Sequence, residues 1–174
     1  MAPVADHTIT ALVEDKPGVL TRIASMFRRR GYNISSLAVG HCEVPSLSRM
    51  TFVVRGDDAT VEQVTKQLYK LVEVVRVSDI SSENLVCREL ALVRVKAPAA
   101  VRSEIIQIVD IFRANIVDVA PDSLIIEVTG DVDKIDSLCN LLKPFGIKEM
   151  MRTGRVAMTR GAAMVEENGH GQAG

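Results

Sequence analysis

A short polar turn between two apolar runs has the residues best suited to bind a small charged ligand. Residues 14–20 read Glu-Asp-Lys-Pro-Gly-Val-Leu, after a strand-like run at 8–13 and at the start of a helix-like run at 17–30. A helix that begins here directs unpaired backbone N–H groups at one point, with the equivalent of about half a positive charge. The turn is therefore a candidate seat for a carboxylate.

Three residues of this turn have separate predicted roles. Pro17 suits the first helical turn, because its missing N–H would have no partner there. Gly18 has no Cβ, so a ligand can approach the backbone closely. Asp15 can cap the helix or meet a cationic amino group. Amides for a carboxylate and Asp15 for an ammonium would together bind a free amino acid, although an ordinary capped turn has the same residues.

A second polar segment follows the helix, where residues 30–34 read Arg-Gly-Tyr-Asn-Ile. Gly31 is predicted to end the helix. Asn33 is predicted to start the next strand, with a side-chain amide that both donates and accepts hydrogen bonds.

Five motifs stand in order along the chain at family-like spacing. They are the two segments above, Leu-Ser-Arg-Met-Thr at 47–51, Lys-Gln-Leu-Tyr-Lys-Leu-Val-Glu-Val-Val-Arg-Val at 66–77 and Arg-Ala-Asn-Ile-Val-Asp-Val at 113–119. From about residue 8 to residue 160, the chain resembles the regulatory (small) subunit of acetolactate synthase, or acetohydroxyacid synthase, whose N-terminal half is an ACT domain. The resemblance implies a partner of the catalytic large subunit that activates it and confers feedback inhibition by valine in branched-chain amino acid biosynthesis.

The resemblance also implies an effector site between two chains of a homodimer that pairs through its ACT domains. Residues 15–20 of one chain, including Lys16, would face Asn33 and Ile34 of the other. The implied contacts are backbone from Pro17, Gly18 and Val19, polar side-chain atoms from Asp15 and Asn33, and an apolar wall from Leu20 and Ile34. Core packing is an equal alternative for Leu20 and Ile34. Leucine or isoleucine would also fit, since one methylene is worth ~1–3 kcal/mol.

The cofactors of acetolactate synthase, thiamine diphosphate, Mg²⁺ and FAD, are implied on the large subunit. The sequence has no Gly-rich dinucleotide or P-loop fingerprint, and no recognisable nucleophile elbow or His triad. We therefore expect no catalytic site and no cofactor on this chain. A metal site is also not expected, because the three histidines lack matching ligand spacing.

Composition narrows the class of protein further. The 174 residues are 47% hydrophobic and 25% charged, enough to bury a core. A net charge of −1 and 3% aromatic residues argue against a nucleic-acid partner or an anionic membrane surface. No signal peptide or membrane span is predicted. The cysteines, Cys42, Cys87 and Cys139, form no CxxC pair, which favours reduced thiols in a cytoplasmic protein.

Hydrophobic periodicity predicts a βαββαβ order in the first half. Strands are expected at 8–13, 33–41, 48–55 and 74–78, with helices at 17–30 and from Thr60 as N-cap. The helices are predicted to bury Leu20, Ile23, Ala24 and Phe27 in the first and Val61, Val64, Leu68, Leu71 and Val72 in the second. This order is that of a ferredoxin-like sandwich, with one face of its antiparallel sheet left for a partner.

The pattern recurs after a polar break at 81–84. Strands are predicted at 88–96, 115–119, 124–129 and 147–158, the last with a candidate break at Gly154, and helices at 98–114 and 131–145. We therefore predict an α+β chain of two ferredoxin-like βαββαβ sandwiches in tandem. The predicted domains are an ACT effector-binding domain at 7–80, a C-terminal ferredoxin-like domain at 86–160 and a disordered tail at 161–174.

Comparison of the two halves assigns the effector site to the first. Lys-Pro-Gly-Val-Leu at 16–20 aligns with Ala-Pro-Ala-Ala-Val at 97–101, and Asn33 aligns with Asn115. The second half lacks the counterparts of Asp15 and Gly18 and is interpreted as a structural and interaction module. A sensor for a different amino-acid enzyme or a gene, and an enzyme or RNA binder on the same fold, are the alternatives.

Overall fold

The computed structural model describes residues 4–161 and contains two antiparallel sheets, one after the other along the chain. Two helices connect strands within each sheet. The first unit has strand order β2-β3-β1-β4. Its elements are β1 (Ala5–Glu14), α1 (Val19–Arg30), β2 (Ile34–His41), β3 (Leu47–Gly56), α2 (Asp58–Leu68) and β4 (Val74–Asp79).

The second unit repeats this arrangement with strand order β6-β7-β5-β8. Its elements are β5 (Leu85–Lys96), α3 (Ala99–Ile111), β6 (Asn115–Val119), β7 (Ser123–Gly130), α4 (Val132–Leu142), a 3₁₀ turn (Lys143–Phe145), β8 (Ile147–Arg152) and β9 (Val156–Thr159). The break predicted at Gly154 separates β8 from β9, which pairs with the start of β5. The predicted fold class, two ferredoxin-like sandwiches in tandem, is confirmed.

Alternation along the strands builds the first core. Ile9, Ala11 and Val13 of β1 are 0–2% exposed, because alternate side chains of a strand share one face. The predicted stripe of α1 is partly wrong, since the helix buries Val19, Ile23, Met26 and Phe27. Leu20 and Ala24 also fit helical spacing, but the chain enters α1 through a left-handed residue that turns Val19 inward.

Two predictions about α2 are also wrong. Asp57, and not Thr60, caps the helix: its Oδ1 accepts hydrogen bonds from the Thr60 N–H at 2.9 Å and the Thr60 hydroxyl at 2.6 Å. These hydrogen bonds hold the pKa of Asp57 below its usual value. The helix ends at Leu68, so Val72 lies in the following turn and is 89% exposed.

The second core is built in the same way. Ala91, Val93 and Val95 of β5 are fully buried, as are Ile135, Leu138 and Leu142 of α4. Both helices end earlier than predicted, at Ile111 and Leu142. Pro144 lies in the 3₁₀ turn that follows α4 and has no backbone N–H to continue a helix.

The predicted tail falls mainly at 162–174, outside the described residues. Within residues 4–161, none of the helices is long and apolar enough to cross a membrane.

Candidate effector site

The predicted corner lies where β1 passes into α1. The Asp15 N–H donates to the Ser46 carbonyl at 2.8 Å, and the Lys16 N–H donates to the Glu14 carbonyl at 3.1 Å. Gly18 is the N-cap of α1, with φ +89°. An added Cβ at Gly18 would have no atom of residues 4–161 within 4 Å, so the corner is open to an approaching ligand.

The first amides of α1 are available to such a ligand. The Val19 N–H reaches the Lys16 carbonyl only at 3.4 Å. The amides of Gly18, Leu20 and Thr21 have no acceptor in the part of the chain that the structure describes. Several unpaired donors at a helix start are the arrangement that binds a carboxylate.

Two predicted roles in the turn are wrong. Pro17 lies in the turn before α1 and not in its first helical turn, and α1 has no side-chain cap, so Asp15 does not cap it. The Asp15 Oδ2 lies 3.2 Å from Nδ1 of His41. The Asp15 side chain is 46% exposed and accessible to a ligand, and its contact with an ammonium group stays a prediction.

The neighbouring side chains differ in how far they are buried. Lys16 is directed to Glu14, with Nζ 2.7 Å from its carboxylate. Leu20 is 48% exposed, so it is not a core residue of this chain, and its side chain can contact the apolar part of a ligand. Ile34 is half-buried and packs against the first core, so for this residue core packing is observed. Asn33 is exposed immediately before β2.

One chain does not bring the two parts of the predicted site together. The register of the sheet pairs Glu14 with Leu47 and His41 with Ser48. The corner and the last residue of β2 therefore lie at the same end of the strands. Ile34 pairs with Val54 at the opposite end of β2. A strand of 8 residues spans about 23 Å between these ends.

The corresponding corner of the second unit is filled by an arginine. The Arg102 guanidinium donates to the carbonyls of Ala97, Ala120 and Pro121 at 2.9, 2.7 and 2.8 Å. These bonds close the turn that precedes α3. The first corner has no such side chain among the described contacts, and this supports assigning the effector site to the first unit.

Sequence reasoning missed His41 and Ser46, which both contact Asp15. They lie more than twenty residues from it in the chain and become neighbours through the antiparallel register of the first sheet. Ser46 has φ +66°, which is unusual for a residue with a Cβ, and its carbonyl accepts from the Asp15 N–H. No local signal in the sequence marks either residue.

Residues 4–161 contain no group of His, Cys, Asp and Glu side chains that could hold a metal ion. Cys42, Cys87 and Cys139 are free thiols. Burial raises the pKa of Cys139, so its thiol is protonated at neutral pH.

The first ferredoxin-like unit, with its open glycine-capped corner, has the features of an ACT domain, and a second ferredoxin-like unit follows it. A family model described as "AHAS small subunit-like ACT domain" matches residues 9–76, and one described as "Small subunit of acetolactate synthase" matches 88–161. A probable acetolactate synthase small subunit of Archaeoglobus fulgidus is 60% identical over 89% of this chain and 97% of its own. The chain belongs to the acetolactate synthase small-subunit family.

Other relatives agree with this membership. The acetolactate synthase small subunit of Mycobacterium bovis is 51% identical over 89% of this chain and 92% of its own. The crystal structure of the Thermotoga maritima acetolactate synthase small subunit is 46% identical, with a TM-score of 0.85, and the match covers 91% of this chain and 99% of that one.

Proposed function

We propose that this small subunit binds and activates a catalytic acetolactate synthase subunit and makes it sensitive to feedback inhibition by valine. Membership of the small-subunit family supports binding to a catalytic subunit. The open corner at Gly18 supports binding of valine. The observation that carries the proposal is the set of amides at the start of α1, beside a half-exposed carboxylate on Asp15. Together they suit the two charged groups of a free amino acid.

A homodimer completes the site. β2 is an edge strand of the first sheet, so its outer side is available to a second copy. Two β2 strands that lie side by side and antiparallel bring the start of one beside the end of the other. Asn33 and Ile34 of one chain would then reach the corner of its partner, and the two-fold symmetry would give two equivalent sites.

Valine matches the chemistry of this composite site. Its carboxylate would accept from the amides of Gly18, Leu20 and Thr21, and its ammonium would face Asp15. Its branched side chain would contact the exposed part of Leu20. Metabolite affinities of about 1 mM to 1 μM correspond to roughly −4 to −8 kcal/mol, and a carboxylate at a helix start, one charged contact and a small apolar burial can supply that range.

The regulatory effect requires only a small energetic link to the catalytic partner. We infer that valine favours one arrangement of the dimer over another, with a coupling free energy of ~1–3 kcal/mol. Thiamine diphosphate, Mg²⁺ and FAD would be bound by the catalytic subunit, where the chemistry on pyruvate and 2-oxobutanoate takes place. The free thiols are consistent with a cytoplasmic location.

Asn33→His is expected to weaken valine binding by about 2- to 10-fold, because a hydrogen bond from the side-chain amide is worth about 0.5–1.5 kcal/mol. Isothermal titration calorimetry on the small subunit measures this effect. Asn115→His is the matched control, since Asn115 is the exposed counterpart that starts β6 and should leave valine affinity unchanged. Native affinity in the Asn33 variant would contradict the two-chain site.

Reconstitution tests the whole proposal. The small subunit is mixed with an acetolactate synthase large subunit, and turnover of pyruvate is measured with and without valine. We expect higher turnover in the mixture than for the large subunit alone, and suppression of that turnover by valine. Absence of any change in turnover would refute the proposed partnership, and activation that valine does not suppress would refute the effector.

A further inference from the structure

The connection between β8 and β9 joins the second unit to the first. The Arg155 N–H donates to Ser36 Oγ of β2 at 2.8 Å, and its guanidinium Nη1 donates to Thr8 Oγ1 of β1 at 3.1 Å. On its other side the connection is fixed to β5, since the Thr153 N–H donates to the Leu90 carbonyl at 3.0 Å. Residues 153–155 therefore contact both sheets directly.

Gly154 allows this close approach. It has φ +84°, and an added Cβ would lie 2.9 Å from both the Leu37 carbonyl oxygen and Ser36 Oγ. A contact of 2.9 Å with the backbone of β2 would require either β2 or the connection at residues 153–155 to shift. Beside this contact lies an open cavity of about 450 Å³ between the units, bordered by Asp6 and Glu89, which leaves room for such a shift.

The contact begins next to the candidate effector site. The pairing of β2 with β3 shifts between Ile34 and Ser36, so Ser35 is an extra residue in the strand. A bulge of this kind redirects the side chains that follow it. Only the bulged residue Ser35 therefore separates Ile34 from Ser36, and Ser36 accepts a hydrogen bond from the Arg155 N–H.

From this geometry we propose that Ser36, Gly154 and Arg155 transmit occupancy of the effector site to the second unit. This inference rests on the proposed function. It goes beyond that function because these three are positioning residues that would not contact valine themselves. Valine bound between the corner of one chain and the start of β2 of the other fixes the bulge in that β2. The Ser36 hydroxyl then holds the Arg155 amide in one place, and the second unit keeps one orientation relative to the first.

Ser36→Ala in the full chain, reconstituted with the large subunit, tests the link. The turnover that remains at saturating valine is expected to rise at least about 2-fold, since one hydrogen bond changes an equilibrium by about 2- to 10-fold. The Kd of valine, measured by calorimetry, should change less than about 2-fold. Ser36→Thr keeps the hydroxyl and should restore inhibition, and Ser35→Ala, at the exposed neighbour, should have no effect.

A pair of glycines gives an independent test. Gly154→Ala and Gly161→Ala introduce the same Cβ at φ +84° and +82°, but only the first meets another strand, because within residues 4–161 nothing lies within 4 Å of a Cβ at Gly161. We expect incomplete inhibition for Gly154→Ala alone, with thermal unfolding recorded for both variants. If Gly154→Ala does not fold, Ser36→Ala decides.

Three outcomes would overturn the inference. Full inhibition in both Ser36→Ala and Gly154→Ala would exclude this route while leaving valine as the effector. An equal loss of inhibition in Gly161→Ala would show that strain at a positive φ, and not the contact with β2, causes the loss in Gly154→Ala. A wild-type enzyme that valine does not inhibit would refute the effector part of the proposed function and the link together.

Discussion

Gly18→Asp is expected to abolish valine inhibition of the reconstituted enzyme. The new carboxylate would lie at the corner where the carboxylate of valine binds, so it would repel the ligand and compete for the same amides. We expect the valine concentration for half inhibition to rise at least about 100-fold, which corresponds to about 3 kcal/mol. Valine titration of turnover measures the shift, and size-exclusion chromatography checks that the subunits still associate.

Two control variants separate charge from backbone strain. Gly18→Asn has nearly the same shape without the charge, and Asn, like Asp, tolerates the positive φ of +89° at this position. Its shift should stay below about 10-fold. Ala99→Asp adds the same carboxylate to the corner of the second unit and should leave inhibition unchanged. Normal valine inhibition in Gly18→Asp would refute the assignment of the corner.

Local rules were sufficient where a residue type and its backbone position agree. Gly31 ends α1 as predicted, because it adopts φ +71° and its N–H satisfies a terminal carbonyl of the helix. Gly154 separates β8 from β9 for a similar reason, with φ +84°. The spacing of Ile9, Ala11 and Val13 puts them on one face of the predicted strand, since side-chain direction in a strand follows directly from sequence spacing, and in the structure this face is buried.

Local rules failed where two neighbouring residues satisfy the same pattern. Leu20 and Val19 both fit an amphipathic α1, and the path of the chain from β1 decides for Val19. Asp57 and Thr60 are both good capping residues, and the structure uses Asp57 with Thr60 as its hydrogen-bond donor. In both cases tertiary contacts choose between options that are nearly equal by sequence.

The candidate site also combines features that local sequence rules predict with features that depend on tertiary contacts. The motif predicted an open corner at Gly18, because glycine and a helix start have local consequences. It did not predict His41 beside Asp15 or Ser36 beside Arg155, which depend on strand register and on packing of the two units. The contact between Ser36 and Arg155 joins residues 119 positions apart, and no periodicity in the sequence encodes it.

A buried ion pair between β5 and β8 was also missed, and it has a large expected effect on stability. Glu89 is 7% exposed. The Arg152 guanidinium contacts the Glu89 carboxylate, and it also donates to Asp136 Oδ1 at 2.7 Å. Arg152→Ala would leave the Glu89 carboxylate buried without a cation. Removing one partner of a buried pair costs about 3–5 kcal/mol, and urea unfolding measures the lost free energy of unfolding.

The same pair of strands has an exposed ion pair that serves as the control. Arg94 of β5 lies 3.5 Å from Glu149 of β8, whose side chain is 62% exposed. Arg94→Ala should cost less than about 1 kcal/mol, because solvent screens exposed pairs. Replacing both Glu89 and Arg152 with Met should recover most of the loss, since no charge then remains buried. Equal losses in Arg152→Ala and Arg94→Ala would contradict this account, because both variants remove one arginine between the same two strands and differ mainly in the burial of the carboxylate left behind.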